Sequence, residues 1–133
     1  MPNATAVLLF ELEPPIRVNC AVGAAFEKGD CVTFTGATGN LVVAITSANN
    51  DIMAGIVAEE KIANVGTSVS VYRNGIFKVE AGTTGCTVGK LQSIEAKNEF
   101  TEAAATDYEN GIAWGRALES GTNGQFIALE LFG

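Results

Sequence analysis

The 133-residue sequence contains no histidine. This absence excludes a histidine-based catalytic triad, a histidine metal ligand and acid–base catalysis by an imidazole. No run of about 18 apolar residues occurs, so we expect no membrane-spanning helix and no membrane partner. The N-terminal stretch has no basic segment, and Glu11 and Glu13 stand where a leader-peptide cleavage site would lie. We therefore expect a protein that is made and used without secretion.

Cysteine is also scarce, with Cys20, Cys31 and Cys86 as the only three. No pair has the C-x-x-C spacing, and a zinc site needs clustered ligands. In a chain without a secretion signal, buried and reduced thiols are expected. A nucleophilic Cys31 would need a base, and the neighbouring Asp30 points to the opposite face of a strand. Three cysteines are enough for one disulfide, such as Cys20 with Cys31, but no sequence feature supports this pairing.

Basic residues are few and scattered. The chain has 8 Lys and Arg residues against 15 Asp and Glu residues, which gives a net charge of −7. Binding of nucleic acid needs a basic stripe that neutralises phosphates, so we expect no nucleic-acid partner. The acidic balance favours solubility, or a protein partner that carries a basic patch.

Other motifs for catalysis are missing from the sequence. The glycines form no phosphate-binding loop. The acidic pairs, Glu59 with Glu60 and Glu11 with Glu13, are sequence neighbours and do not face each other across a cleft. The segment Asn49 to Asp51 lacks the spaced carboxylates of a calcium loop. We therefore expect a protein that is not an enzyme and that has no cofactor and no metal site.

The composition and the turn pattern predict an all-β fold. With 47% hydrophobic and 17% charged residues, the chain is long enough for a sizeable core in one domain. Short apolar stretches separated by turn residues every 8 to 12 positions are typical of a compact β-barrel or β-sandwich. Residues 68–73 and 76–80 alternate between polar and apolar, and Asn74-Gly75 between them predicts a β-hairpin.

Glycines recur at offsets of 58 to 60 residues. Gly29 and Gly89 are 60 residues apart, as are Gly55 and Gly115, whereas Gly66 and Gly124, and Gly75 and Gly133, are 58 apart. This spacing predicts two similar β units, 23–75 and 82–133, which bury their apolar faces against each other. An architecture of this kind is usually a scaffold.

Residues 1–22 stand apart from the repeat. Thr5 to Leu12 is an apolar run of strand length, and Pro14-Pro15 then imposes an extended bend. We interpret residues 1–22 as an N-terminal arm and residues 23–133 as the single β domain. An ordinary first strand of the core is the alternative interpretation. For Tyr72 and Trp114 we expect core packing, with a partner interface as the alternative.

The order of the short motifs resembles a known family. The matching positions are Lys28-Gly29-Asp30, Gly55-Ile56-Val57, Gly66, Val69, Val71, Gly75-Ile76-Phe77, Val79, Val88-Gly89, Gly111-Ile112-Ala113 and Leu129. This order is similar to that of the small head decoration (capsid cement) proteins of tailed phages, and more distantly to the head decoration protein of phage lambda. The longer N-terminal arm and Trp114-Gly115 depart from the family pattern.

The resemblance implies a structural function. A member of this family would be a β-rich body, often a homotrimer, made in the cytoplasm of a host bacterium. It would bind the outside of the expanded capsid and stabilise contacts between major capsid proteins. If the arm adds to a capsid sheet edge, its apolar and proline residues would contact the capsid. These candidate partner-binding residues are Val7, Leu8, Leu9, Phe10, Leu12, Pro14 and Pro15.

A different class of function is also compatible with the sequence, namely a receptor- or glycan-binding β module on a virion surface or fibre. This alternative predicts that Tyr72, Tyr108 and Trp114 form an exposed aromatic cluster.

Overall fold

The computed structural model describes residues 5–35, 41–46, 53–103 and 113–132, which form strands, turns and loops. The all-β prediction is confirmed. In this part of the chain, no helix is long and apolar enough to cross a membrane. The strands are β1 (Val7–Phe10), β2 (Ile16–Asn19), β3 (Cys31–Thr35), β4 (Val42–Ile45), β5 (Met53–Val57), β6 (Ser68–Tyr72), β7 (Gly75–Ala81), β8 (Leu91–Ala96), β9 (Glu99–Glu102), β10 (Gly115–Ala117) and β11 (Phe126–Leu131).

Strands β2 to β6 form a first barrel. Their order is β2-β6-β5-β3-β4, and all neighbours in it are antiparallel. A parallel bridge between Cys20, just after β2, and Val43 in β4 closes the sheet. Closure leaves the barrel with little exposed sheet edge.

Strands β7 to β11 form a second barrel with the same topology. The order is β7-β11-β10-β8-β9, and parallel pairing of Ala81 in β7 with Phe100 in β9 closes it. The registers also correspond. Cys31 pairs with Ile56 in the first barrel, as Leu91 pairs with Arg116 in the second. The repeat predicted from the glycine spacing is therefore confirmed at the level of strand pairing.

The limits of the repeat differ from those expected. The first barrel begins at β2, which lies within residues 1–22, and the second begins at β7, before residue 82. The segment 1–22 thus contributes one strand to each sheet, because β1 adds to β7. The hairpin prediction at Asn74-Gly75 is wrong. The turn forms, but β6 and β7 enter different sheets, so it connects the two barrels.

Two apolar clusters fill the molecule. One lies inside the first barrel and includes Val32, Val43, Val57 and Val69. The other joins the interior of the second barrel to the outer face of β3 and β5; its members are Ala6, Cys31, Met53, Ile56, Phe77, Val79, Ala81, Cys86, Ile94, Phe100, Ala117, Ile127, Leu129 and Leu131. The barrels are therefore joined by a continuous apolar core.

Strand β5 serves both clusters, because it is buried along its whole length. Ala54 and Val57 belong to the first cluster, and Met53 and Ile56 to the second. A register shift opposite Gly55 accompanies this change of side. Gly55 has a φ of 153°, and a Cβ there would collide with the carbonyl oxygen of Tyr72. Glycine is required at this crossing of two backbones.

The three cysteines are buried and unpaired, as predicted. Burial raises the pKa of the Cys31 thiol far above its ordinary value, and the adjacent Asp30 carboxylate adds to the increase. A thiol with a raised pKa is a poor nucleophile at neutral pH.

Candidate interaction surface

Strand β1 contacts both barrels. Val7 pairs with Lys78, Leu8 with Phe77, and Phe10 with Ile76, with an irregularity between Leu8 and Phe10. At its start, the Ala6 amide donates a hydrogen bond of 2.9 Å to the carbonyl oxygen of Gly29 in the first barrel. Strand β1 is the end strand of its sheet. An end strand presents backbone groups that can pair with another chain.

The structure separates the predicted partner-binding residues by orientation. The exposed fractions of Val7, Leu9 and Phe10 are 57%, 42% and 65%, whereas Leu8 is half-buried against the core. Leu12 (54% exposed) and Pro14 lie in the exposed connection to β2, and Pro15 is half-buried. Three of the seven side chains thus form a short apolar strip on β1. Their binding to a partner stays a prediction.

The acidic residues of this segment hold it against the turn between the barrels. Glu13 accepts a hydrogen bond from the Asn74 side-chain amide. Burial raises the pKa of Tyr72, and a hydrogen bond from its hydroxyl to Glu11 and the charge of Glu11 raise it further. Glu11 and Glu13 therefore have structural contacts, which the sequence did not reveal because Tyr72 and Asn74 are about 60 residues away.

The repeat shows which surface residues the fold does not require. Four outward positions of the first barrel are Lys28, Ala58, Ser68 and Ser70. Their counterparts on the same strands and turns of the second barrel are more apolar: Val88, Leu118, Phe126 and Ala128. Three of these four are large and exposed. Because one backbone accepts both sets, we interpret the apolar set as an interaction surface.

Two of the three aromatic residues predicted for glycan binding, Tyr72 and Trp114, pack against other residues of the molecule. Tyr72 packs edge-on against Phe77, with ring centroids 5.7 Å apart. Trp114 is half-buried, and its ring centroid lies 4.9 Å from the guanidinium carbon of Arg73. The same guanidinium also lies over the ring of Phe34. Tyr108 lies outside the described residues. Tyr72 and Trp114 therefore stabilise the contact between barrels.

A cleft of about 340 Å³ lies between β1 and the first barrel. Ala6, Ile56, Tyr72 and Phe77 line it, and Lys28 is the charged residue among its described lining residues. No group of three or more Cys, Asp or Glu residues in the described ranges is arranged to hold a metal ion. The candidate site is the surface of β1 and the second barrel, because it carries exposed apolar side chains beside an end strand.

Comparison with known proteins gives a similarity of fold. No protein-family model matches the chain. No curated protein matches it. Among solved structures, the chain is similar to the N base of the head fiber protein gp8.5 of bacteriophage phi29, with a TM-score of 0.60. The alignment covers 88% of this chain and 93% of that chain at 14% identity. At this identity the similarity concerns the fold.

Proposed function

We propose that the chain is a structural protein of a tailed-phage virion that binds the exterior of the head as a decoration protein. The observation that carries this proposal is the exposed apolar strip of β1 at the end of a sheet. The fold similarity to a phage head fiber base supports a role in the virion. The proposed partner is the major capsid protein, and the proposed assembly is a homo-oligomer, with a trimer favoured by the family resemblance.

Strand addition is the proposed binding mechanism. A capsid strand would pair with the outer edge of β1, and Val7, Leu9 and Phe10 would fill apolar pockets. Burial of such a side chain contributes about 1.5–3 kcal/mol. Because β1 is already ordered on β7, binding does not bear the full entropic cost of ordering a free arm. Binding to the expanded lattice alone would stabilise that lattice by mass action.

Co-sedimentation with capsids tests this proposal. Purified protein is mixed with expanded capsids that lack it and, separately, with unexpanded procapsids. We expect saturable binding to the expanded form alone. Val7→Lys with Phe10→Lys should abolish binding without unfolding the protein, because both side chains are exposed. Leu41→Lys is the matched control, since Leu41 is 64% exposed and lies on the first barrel.

Two results would contradict the proposal. Absence of binding to either capsid form would remove the decoration function. Equal loss of binding in the Leu41→Lys control would show that β1 has no special part in it.

The second candidate function is a β module on a virion surface or fibre that binds a receptor or a glycan. The similarity to a head fiber base favours this candidate. A glycan array with the purified protein separates the two functions, because a decoration protein would bind capsids and no glycan. The packing of Tyr72 and Trp114 leaves Tyr108 as the aromatic residue of the predicted cluster that could still support glycan binding.

A further inference from the structure

One surface of the second barrel combines two cationic side chains with exposed apolar side chains. We call Val88, Lys90, Arg116 and Leu118 the basic patch. The Lys90 carbonyl accepts a hydrogen bond of 3.0 Å from the Ala117 amide, so the turn before β8 lies against β10. In the described ranges neither Lys90 nor Arg116 forms an ion pair. Glu130, the cross-strand neighbour of Arg116, bounds the patch on the β11 side.

The corresponding surface of the first barrel is covered. Gly29 is buried under Ala6, whereas its counterpart Gly89 is exposed. Both glycines have positive φ, of 94° and 83°, and both donate to the strand beside them, Gly29 to Val57 and Gly89 to Ala117. The same turn is therefore covered by Ala6 in the first barrel and exposed to solvent in the second barrel.

A loop of the first barrel has the complementary character. We call Glu59, Glu60, Ile62 and Val65 the acidic loop. Ile62 and Val65 are 65% and 63% exposed. Glu59 forms an ion pair with Arg17, with 2.9 Å between Oε1 and Nη2. In the described part of the chain Glu60 forms no ion pair.

The fold does not require apolar residues in this loop. In the structure the counterparts of Ile62 and Val65 are Thr122 and Gln125, because the Val65 amide donates to the Ile62 carbonyl as the Gln125 amide donates to the Thr122 carbonyl. This turn therefore aligns with an offset of 60 residues, with Asn64 and Gly124 both at positive φ, and not with the offset of 58 that pairs Gly66 with Gly124 in the sequence. The Thr122 amide also donates a hydrogen bond of 2.8 Å to the Gln125 side chain. Polar residues thus complete the same turn in the second barrel. Exposed apolar side chains beside an unpaired carboxylate are typical of a contact surface.

We infer that the basic patch of one copy binds the acidic loop of a second copy. The complementary charges select the partner surface, and the apolar side chains on both sides exclude water. The two surfaces differ, so the contact is heterologous and each copy can use both. Such contacts close into rings or extend into filaments. This inference deepens the homo-oligomer part of the proposed function and does not depend on capsid binding.

Light scattering after size-exclusion chromatography measures the association in the free protein. We expect a weight-average mass above the 13.8 kDa of one chain that increases with protein concentration. The double variant Lys90→Glu, Arg116→Glu should weaken association by about tenfold or more, because it places like charges opposite each other. Higher salt should weaken association of the native protein. Lys28→Glu is the control, because Lys28 is exposed and occupies the position of Val88 in the first barrel.

Charge exchange identifies the partner surface. Glu60→Lys alone should weaken association, and Glu60→Lys added to the double variant should restore it. Circular dichroism confirms that each variant is folded.

Three results would overturn the inference: a native protein that is monomeric throughout the concentration series, a double variant that associates as well as the native protein, or a triple variant that stays dissociated. Capsid co-sedimentation of the same variants is scored separately, so failure of self-association and failure of decoration are distinguishable.

Discussion

Asn98, in the turn between β8 and β9 of the second barrel, donates a hydrogen bond of 3.0 Å to Oδ1 of Asp30 in the first barrel. Its own Oδ1 accepts from the Cys31 amide at 2.7 Å. Asp30 uses Oδ2 to accept from the Glu27 amide. Asn98, Asp30 and Cys31 are all buried. One side chain thus satisfies two buried polar groups across the contact between the barrels.

Asn98→Ala should destabilise the protein by about 2–4 kcal/mol, because the buried Cys31 amide loses its hydrogen bond to Asn98 and the buried Asp30 carboxylate loses one of its two donors. Part of this change comes from the backbone, since Asn98 has a φ of 59°. Asn98→Gly removes the same hydrogen bonds and relieves the strain, so the difference between the two variants isolates the backbone contribution. Urea denaturation measures the free energy of unfolding of both variants. Equal stability of native protein and Asn98→Gly would contradict the role of the hydrogen bonds.

The pair Gly29 and Gly89 allows a matched test of how β1 is held. At Gly29 an added Cβ would collide with the carbonyl oxygen of Ala6, whereas at Gly89 no described heavy atom lies within 4 Å. Gly89→Ala should cost only the backbone strain, about 1 kcal/mol. Gly29→Ala should cost about 3 kcal/mol or more and release the start of β1. Urea denaturation measures the loss of stability, and the rate of proteolysis near residues 5–13 measures the release of β1. Similar results for Gly29→Ala and Gly89→Ala would contradict the docking of β1 on Gly29.

Arg73 links the barrels through its position between Phe34 and Trp114, 5.5 Å and 4.9 Å from their ring centroids. Arg73→Ala should cost about 1–2 kcal/mol, because it removes two cation–π contacts. It should also shift the fluorescence of Trp114, the single tryptophan, to longer wavelength. Arg73→Lys keeps the charge and should retain part of the stability. An unchanged emission spectrum in Arg73→Ala would contradict the contact between the Arg73 guanidinium and the Trp114 ring.

Stability should fall in alkaline solution. Burial raises the pKa of Cys86 from 9.0 to about 12, and the carboxylates of Glu102 and Glu95 add to the increase. Above pH 9 the unfolded chain loses this proton while the folded chain keeps it, so the free energy of unfolding decreases as the pH rises. Each such thiol should contribute about 1 kcal/mol of this loss between pH 9 and 10.

Urea denaturation at pH 8, 9 and 10 measures this change. Cys86→Ala is the control, and its stability should decrease less between pH 9 and 10. A decrease of equal size in Cys86→Ala would assign the pH dependence to other groups, among them Cys31 and Tyr72, whose pKa values are also raised.

The repeat was predictable because its signal is local. A turn that needs positive φ favours glycine, so Gly29 and Gly89 mark equivalent turns without reference to the rest of the chain. Alternation of apolar and polar residues depends only on the period of a strand, which is why β6 and β7 were recognised.

The sheet that a strand joins was not predictable. Asn74-Gly75 specifies a turn, but whether the strands on either side pair depends on their partners. Here β6 pairs with β2 and β5, and β7 with β1, β11 and β9. Strand β2 is preceded by Pro14-Pro15, which favoured an arm, yet pairing with β6 places it in the first barrel.

The all-β class, the two-unit repeat and the lack of histidine chemistry follow from composition and turn spacing alone, since these signals act within a few residues. The exposure of individual apolar residues follows from the fold. Leu8 and Leu9 are adjacent leucines, and the pairing of β1 with β7 turns Leu8 toward the core and leaves Leu9 at the surface. That difference depends on residues about 70 positions away, because burial is set by long-range packing.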